Sequence, residues 1–222
     1  MSSVLALRFR ALTAALCRSS MHAPESGKAV AVDEVDLARA AEYSLLATLL
    51  LRSPDAQVLS RLAELRGDDS PLGLAHAALG KAAARTDADI TAREYFALFV
   101  GLGRGELMPY ASHYLTGFLH GRPLANLRHT LRRIGIERVE TQTEPEDHAA
   151  ILMEIMAGLA SGEIAAPAGT DREIFDNYIG PWIARFFSDL EKSTSVDFYA
   201  VVGTLGRTFT EIESQGFLIP NL

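Results

Sequence analysis

Hydrophobic residues along most of the chain recur at spacings of three and four positions, which is the period of an amphipathic α-helix. The first such stretch follows Asp36, whose carboxylate is predicted to cap the helix, and Pro54 is predicted to end it. The buried face of this helix is predicted to carry Leu37, Ala41, Leu45, Thr48 and Leu49. The same period predicts a second, shorter helix over residues 55–66.

Proline, glycine and capping residues predict where the remaining helices begin and end. Ser70 followed by Pro71 is typical of a helix start, because the N–H that proline lacks has no partner at the first helical position. Gly135 is typical of the residue just after a helix, and Pro181 predicts a kink or a break. The predicted ranges are 70–85, 86–100, 110–120, 123–133, 144–161, 171–192 and 195–216.

This pattern predicts an all-α fold, with a single bundle-like domain of roughly nine to eleven helices over residues 33–218. A division into two halves joined by a hinge near residues 135–143 stays open. The strand-like stretch 136–143 is interpreted as a loop. Residues 1–32 are predicted to be an extension, either disordered or upstream of a native start at Met21, and their scattered arginines also resemble a transit peptide.

Charge and composition narrow the function classes. The chain carries 21 Lys and Arg against 28 Asp and Glu, a net charge of −7, which disfavours nucleic acid and suits a basic peptide as partner. A single cysteine excludes a disulfide framework and fits a reducing, cytoplasmic setting. There is no run of about 18 uncharged apolar residues, so no stable membrane association is expected.

Signatures of catalysis and of metal binding are missing from the sequence. In the glycine-rich stretch 101–105, Glu106 stands where a dinucleotide fingerprint needs its third glycine. Glu144 and His148 are spaced as two metal ligands on one helix face would be, but a stable site needs more ligands. We therefore expect no catalytic residue, no metal and no cofactor.

Two segments stand out, residues 94–114 and 143–160. In the first, Tyr95 and Phe99 are four apart, and Tyr110 and Tyr114 repeat that spacing after the glycine turn. The second opens with a polar cluster and continues as an amphipathic helix. Each segment read alone is compatible with ordinary core packing or with the lining of a groove.

Read together, the two segments contain three sequence blocks in a fixed order. They follow the patterns E-Y/F-x-x-L-F-x-G-x-G, P-Y-x-S-x-Y and E-P-x-D-H. The matching residues are Glu94, Tyr95, Leu98, Phe99, Gly101, Gly103, Pro109, Tyr110, Ser112, Tyr114, Glu144, Pro145, Asp147 and His148. This order and spacing resembles the TorD/DmsD family of cytoplasmic chaperones for molybdenum enzymes that are exported by the twin-arginine route. The resemblance covers about residues 36–215.

The resemblance implies a helical protein that binds the twin-arginine signal peptide and apo form of a molybdenum-cofactor oxidoreductase, aids cofactor insertion and delays export. The candidate peptide-binding residues are Tyr95, Leu98, Phe99, Pro109, Tyr110, Tyr114, Glu144, Pro145, Asp147 and His148. The acids of the E-P-E-D-H block suit the paired arginines of such a leader, because guanidinium forks bond well to carboxylates. The protein is expected to be a monomer or a homodimer.

The sequence also allows other interpretations of the function and of the basic helix. The glycine turn is compatible with nucleotide binding, and the resemblance implies that this alternative would be a weak guanine-nucleotide-binding maturation factor. Buried aromatic residues would instead suit a non-catalytic helical adaptor. The basic helix with Arg122, Arg128, Arg132 and Arg133 is either a solvated face or a contact to the mature domain of the partner or to cofactor phosphates.

Overall fold

The computed structural model describes residues 9–11, 33–103, 105–138, 143–194 and 196–219. Within these ranges the chain forms ten α-helices and two short π-helical segments, so the predicted all-α class is confirmed. The α-helices are α1 Glu34–Leu51, α2 Ala56–Ala63, α3 Pro71–Ala83, α4 Ala88–Tyr95, α5 Ala111–Thr116, α6 Gly121–Arg133, α7 Ala149–Ala160, α8 Thr170–Ile174, α9 Gly180–Glu191 and α10 Phe198–Leu218. The π-helical segments are Phe96–Val100, which continues α4, and Phe175–Ile179, which joins α8 to α9.

The core is built around α7, which is buried along nearly its whole length. α1 packs along α7, and α10 packs against α9 and α3. A helix surrounded in this way must be apolar on every side, and the sequence of α7 is apolar except for Glu154. The largest fully buried side chains of the core are Tyr43, Tyr199, Phe186, Phe187 and Phe198.

The buried face of α1 differs from the predicted one. Asp33, not Asp36, caps the helix, because its carboxylate accepts a 2.7 Å hydrogen bond from the N–H of Asp36. Leu37 is 51% exposed, and of the predicted inward positions only Leu49 is fully buried. The residues that α1 buries are Ala40, Tyr43, Leu46, Ala47, Leu49 and Leu50. Alanine and leucine cover several faces of this helix, so spacing alone does not choose the face that meets α7.

Two other helix starts, those of α3 and α4, have the local caps that the sequence favours. The Ser70 hydroxyl accepts a bond from the N–H of Gly73 at 3.0 Å, with Pro71 at the first helical position. The Asp87 carboxylate accepts one from the N–H of Ile90 at 2.8 Å. The predicted interruption at Pro181 takes the form of the π-helical segment just before α9. A wider helical turn there tolerates the missing proline N–H.

The helix predicted over 144–161 begins only at Ala149, so the E-P-E-D-H block is a turn that precedes α7. The carbonyl groups of Pro109 and Asp147 accept hydrogen bonds from Ala149 and Ala111, respectively. This pairing between distant segments replaces the local helical bonds of residues 144–148. The helix predicted over 110–120 is also shorter, because the chain leaves α5 at Gly117 with a left-handed φ of 81°.

Residues 136–138 correct the prediction of a loop over 136–143. Ile136–Arg138 is a strand, β2, and it pairs antiparallel with a second strand, β1, at Phe9–Ala11. Both strands are three residues long. The rest of the predicted extension, 1–8 and 12–32, lies outside the described residues, as do 139–142 of the predicted hinge. The extension and the hinge therefore stay predictions.

None of the helices in the described ranges is both long and apolar enough to cross a lipid bilayer.

Candidate functional site

The second and third sequence blocks meet in space. The N–H of Ala111 donates to the Asp147 carbonyl at 2.9 Å, and the N–H of Ala149 donates to the Pro109 carbonyl at 2.7 Å. Between these bonds, Tyr110 and His148 form an antiparallel bridge. We call residues 109–112 and 144–148 together the junction. It unites two segments that lie more than thirty residues apart in the chain.

Tyr110 joins the two halves of the junction through its side chain as well. Its hydroxyl donates a 2.6 Å hydrogen bond to Glu144 Oε2. Its ring meets the His148 ring edge-on, with 5.0 Å between the centroids. Burial and the Glu144 carboxylate raise the pKa of Tyr110, so the phenol stays protonated and acts as a donor.

Asp147 is a buried carboxylate whose two oxygens differ. Its side chain is essentially inaccessible, at 1% exposure. Oδ2 accepts a 2.9 Å hydrogen bond from the N–H of Ser112. Oδ1 is shielded from solvent and has no hydrogen-bond partner among the residues that the structure describes. A buried acceptor without a hydrogen bond is energetically unfavourable, so a donor that reaches it stabilises the complex.

His148 is the N-cap of α7. Its Nδ1 accepts a 3.1 Å hydrogen bond from the N–H of Ala150, so this nitrogen carries no proton. Burial lowers the pKa of His148 to about 4, against the weaker opposing effect of Glu144 and Asp147. The imidazole is therefore neutral at physiological pH, and it stabilises the fold of the junction.

Glu146 of the junction binds a guanidinium group of this chain. The Nε and Nη2 atoms of Arg128 on α6 both lie 2.8 Å from Glu146 Oε2. The glutamate is buried, whereas the arginine side chain keeps contact with solvent. One acid of the E-P-E-D-H block is thus already paired with an arginine of this chain.

The first block reaches the junction through Tyr95. The Tyr95 hydroxyl donates to the Leu51 carbonyl at 2.8 Å, and its ring packs against Phe99 and Tyr199. Burial raises the pKa of Tyr95 to about 12, and the nearby Glu144 carboxylate adds to the effect. The Glu144 carboxylate therefore lies close enough to both Tyr95 and Tyr110 to raise the pKa of each phenol. Leu98, in the same block as Tyr95, is fully buried in the core.

Tyr114 faces a different part of the molecule. Its hydroxyl donates to Asp189 on α9 at 3.1 Å, and its ring packs against Trp182 and Phe186. The guanidinium of Arg185 lies over the same ring at 5.6 Å. The structure thus assigns Tyr114 to the contact between α5 and α9, and its role in peptide binding stays a prediction.

Glu94, the first residue of the first block, has a structural role. Its carboxylate accepts hydrogen bonds from the N–H groups of Asp197, Phe198 and Tyr199, at 3.0 Å, 3.1 Å and 3.1 Å. These are the free donors at the start of α10. The sequence marks Glu94 as part of a motif but contains no signal for a cap one hundred residues away.

Three exposed apolar side chains at the variable positions of the first block were not singled out by the sequence analysis. Phe96 and Val100 lie on the outer side of the π-helical segment, and Leu102 follows it at 97% exposure. They alternate with residues that contribute to the core, Leu98 and Phe99. Helical spacing describes the inward residues, so it gives no reason to expect bulky apolar groups on the outside as well.

The glycine turn folds back on α4 and its π-helical continuation. The N–H groups of Glu106 and Leu107 donate to the carbonyls of Ala97 and Leu98, respectively. A Cβ on Gly105 would lie 2.5 Å from the Leu98 carbonyl oxygen, so close packing requires glycine there. These backbone donors serve the fold, which favours a helix-ending loop over a phosphate-binding cradle.

Metal ligation has no geometric support in the ranges described. No group of three or more His, Cys, Asp and Glu side chains lies close enough there to hold an ion.

Comparison with known proteins gives a family match, several relatives and a structural neighbour. The family model of the nitrate reductase delta subunit matches residues 65–188, more than half of the chain and the stretch that contains all three blocks. A protein of Vibrio cholerae named chaperone protein TorD is 26% identical over 144 residues, which is 60% of this chain and 66% of that protein. The protein of that name in Aliivibrio fischeri is 26% identical over 125 residues, 52% of this chain and 58% of the relative.

The chain therefore matches less than two thirds of the length of each of these relatives. The crystal structure of a candidate redox enzyme maturation protein from Archaeoglobus fulgidus superposes with a TM-score of 0.53 at 17% identity. The superposition covers 89% of this chain and 99% of the Archaeoglobus fulgidus chain, so the two proteins have a common fold.

Proposed function

The chain belongs to the nitrate reductase delta subunit family, and from this membership we propose that it is a system-specific, non-catalytic chaperone of a molybdenum-containing redox enzyme. Its resemblance to the TorD/DmsD family is confirmed by the family match. In the proposed function the protein acts in the cytoplasm. It binds the twin-arginine signal peptide and the apo form of its client, aids cofactor insertion and delays export.

The observation that carries the proposal is the junction. It brings the second and third blocks together and gathers three carboxylates within four residues, Glu144, Glu146 and Asp147. The Arg128–Glu146 pair is an internal example of the bond that a leader arginine would form. Asp147 Oδ1 is a buried acceptor of the junction with no hydrogen-bond partner among the described residues. A guanidinium that reaches it would form a charge-assisted hydrogen bond.

Access to Asp147 requires a local opening of the junction, because its carboxylate is buried. Tyr110 packs against His148, the neighbour of Asp147, and its own side chain is half-buried. Movement of one aromatic side chain is a small rearrangement of the kind that interfaces commonly make on binding. The net charge of −7 attracts an arginine-bearing peptide before that step.

The apolar stretch that follows the arginines in a twin-arginine leader needs a hydrophobic surface. Phe96, Val100 and Leu102 offer one, directly beside Tyr95 and Phe99. An amphipathic helix laid on such a surface buries apolar area on both partners. We assign the apolar contact to these three exposed residues, with Tyr95 and Phe99 at their base and Leu98 as support from within the core.

The function is tested with synthetic peptides for all twin-arginine leaders encoded in the source genome, by isothermal titration calorimetry. We expect one leader to bind with micromolar or tighter affinity, and its Arg-Arg→Gln-Gln form to bind at least about tenfold more weakly. Glu144→Gln is expected to weaken binding of the same leader, and Glu64→Gln, at an exposed glutamate that directly follows α2, serves as the control. If no leader binds more tightly than its scrambled sequence, the proposed function is wrong.

A further inference from the structure

The outward side of α6 concentrates positive charge in an acidic protein. This helix has four arginines and one histidine among its residues 121–133, and it contains no Asp or Glu. Leu124, Leu127 and Leu131 face the core on the opposite side. We call the exposed residues Arg122, His129, Arg132 and Arg133 the basic face.

Two of the α6 arginines are paired within the protein and two are not. Arg128 binds Glu146 of the junction, and Arg133 binds Glu173 on α8. Within the described part of the chain, neither Arg122 nor Arg132 has an acidic partner. The Arg132 Nε donates to the backbone carbonyl of Arg128, one turn earlier.

Helix geometry arranges these charges as a line and not as a pocket. Arg122, His129 and Arg133 are separated by seven and four positions, so they lie near one edge of the helix over roughly 16 Å. Arg122 and Arg132, which have no acidic partner among the described residues, are ten positions apart, so they lie about 15 Å apart along the helix axis. A partner with several carboxylates along its chain would pair with both arginines at once.

We propose that the basic face docks an acidic segment of the client enzyme outside its leader. The identity of the client rests on the proposed function. An acidic polypeptide is favoured over a duplex nucleic acid, because the rest of this chain is strongly acidic and repels an extended polyanion. It is favoured over a single phosphate group, because the guanidinium groups are spread along the helix and do not converge on one point.

The basic face and the junction adjoin each other through Arg128. This arginine projects from α6 and bonds to Glu146 within the E-P-E-D-H turn. The arginines of the leader would thus bind the acidic junction, and the carboxylates of the folding client would bind the basic face beside it. Two weak contacts made by one client strengthen each other, because the second forms at a high effective concentration.

The test compares two charge-reversal variants of equal net charge. Arg122→Glu/Arg132→Glu changes the basic face without breaking an internal ion pair. Lys81→Glu/Arg85→Glu changes two exposed residues at the end of α3. Each variant is titrated with the leaderless apo catalytic subunit of the client and, separately, with the leader peptide, at low and high salt. If the leader screen identifies no client, the leaderless catalytic subunit of every molybdenum enzyme of the source genome is used.

We expect the basic-face variant to bind the leaderless subunit at least about tenfold more weakly than the wild type at low salt, with a smaller difference at high salt. The α3 variant is expected to bind within about twofold of the wild type. The leader peptide should bind both variants alike, which separates this surface from the junction. Equal losses in the two variants, or a wild type that does not bind any leaderless subunit, would overturn the proposal. A duplex DNA probe gives a further outcome. If the basic-face variant lost the wild-type binding of this probe but bound the leaderless subunit as the wild type does, the face would be assigned to nucleic acid, and the proposal would also be overturned.

Discussion

The Tyr110 hydroxyl donates a 2.6 Å hydrogen bond to the Glu144 carboxylate, so a residue of the second block occupies an acceptor that belongs to the third. The same tyrosine packs its ring against the neutral imidazole of His148. In the proposed function a leader arginine and this phenol both bond to Glu144. Tyr110 therefore has two opposite effects on the leader, since its ring adds contact area and its hydroxyl occupies one of the acceptor positions of the carboxylate.

Tyr110→Phe separates these two effects. The substitution keeps the ring and removes the hydroxyl, so Glu144 Oε2 loses a donor that a guanidinium can replace. We expect the leader peptide to bind about three- to tenfold more tightly, as measured by calorimetry. Tyr178→Phe is the control, because it removes a phenol that is hydrogen-bonded to Thr130 at 2.7 Å, away from the junction. Weaker binding by Tyr110→Phe would mean that the hydroxyl contacts the peptide.

Asp147 is tested with two substitutions that differ in what they keep. Asp147→Asn retains an oxygen for the N–H of Ser112, whereas Asp147→Ala leaves that buried donor without an acceptor. We expect the alanine variant to lose about 1–3 kcal/mol of unfolding free energy and the asparagine variant much less. Both should bind the leader at least about tenfold more weakly, because both lack the carboxylate charge.

Urea unfolding followed by circular dichroism measures the stability of these variants, and calorimetry on the folded proteins measures leader affinity. An asparagine variant with wild-type affinity would remove Asp147 from the binding site. An alanine variant of wild-type stability would show that the bond to Ser112 contributes little to the fold.

His148 makes stability depend on pH. Its pKa is lowered to about 4 in the folded protein, below the ordinary value of 6.5, so the unfolded chain binds more protons between these two values. The stabilisation is therefore complete above about pH 6.5 and is lost as the pH falls through about 4. The shift corresponds to about 3 kcal/mol in total.

Urea unfolding from pH 7 to pH 4 checks this prediction in the wild type and in His148→Asn. Asparagine is also a good N-cap, so the variant keeps the start of α7. We expect the free energy of unfolding to fall less steeply with acid in the variant than in the wild type. Parallel curves for the two proteins would show that another group is responsible.

The sequence predicts those parts of the fold that neighbouring residues determine. The starts of α3 and α4 depend on caps at Ser70 and Asp87 that lie within three residues of their donors. The start of α7 depends instead on bonds between residues 109–111 and 147–149, and local propensity contains no information about such distant pairing. The strand β2 was not predicted for the same reason, because its partner β1 comprises residues 9–11, far from β2 in the sequence.

The candidate site was predictable only in part. The three blocks identify most residues of the junction by type and order. They do not distinguish a side chain that meets solvent from one that supports the fold, because a pattern gives the residue type at a position and not its exposure. Phe96 and Val100 are exposed beside the fully buried Leu98, and this difference arises from how the π-helical segment rests on the core.

Glu94 provides the clearest test of a motif residue with a structural role. It caps α10 through three backbone N–H groups, so Glu94→Ala leaves those donors without their acceptor. We expect the variant to lose about 1–2 kcal/mol of unfolding free energy in urea, in the range of other N-cap deletions. Leader affinity should stay within about twofold of the wild type at temperatures where the variant is folded.

Arg93→Ala is the matched control, because it makes the same change to alanine on the exposed side of the same helix. It should leave stability nearly unchanged, so that the difference between the two variants measures the cap rather than helix propensity. Glu94→Gln keeps a side-chain oxygen and should recover part of the loss. If Glu94→Ala instead abolished leader binding at full stability, the glutamate would belong to the binding surface, and the separation of supporting and binding residues within the first block would have to be redrawn.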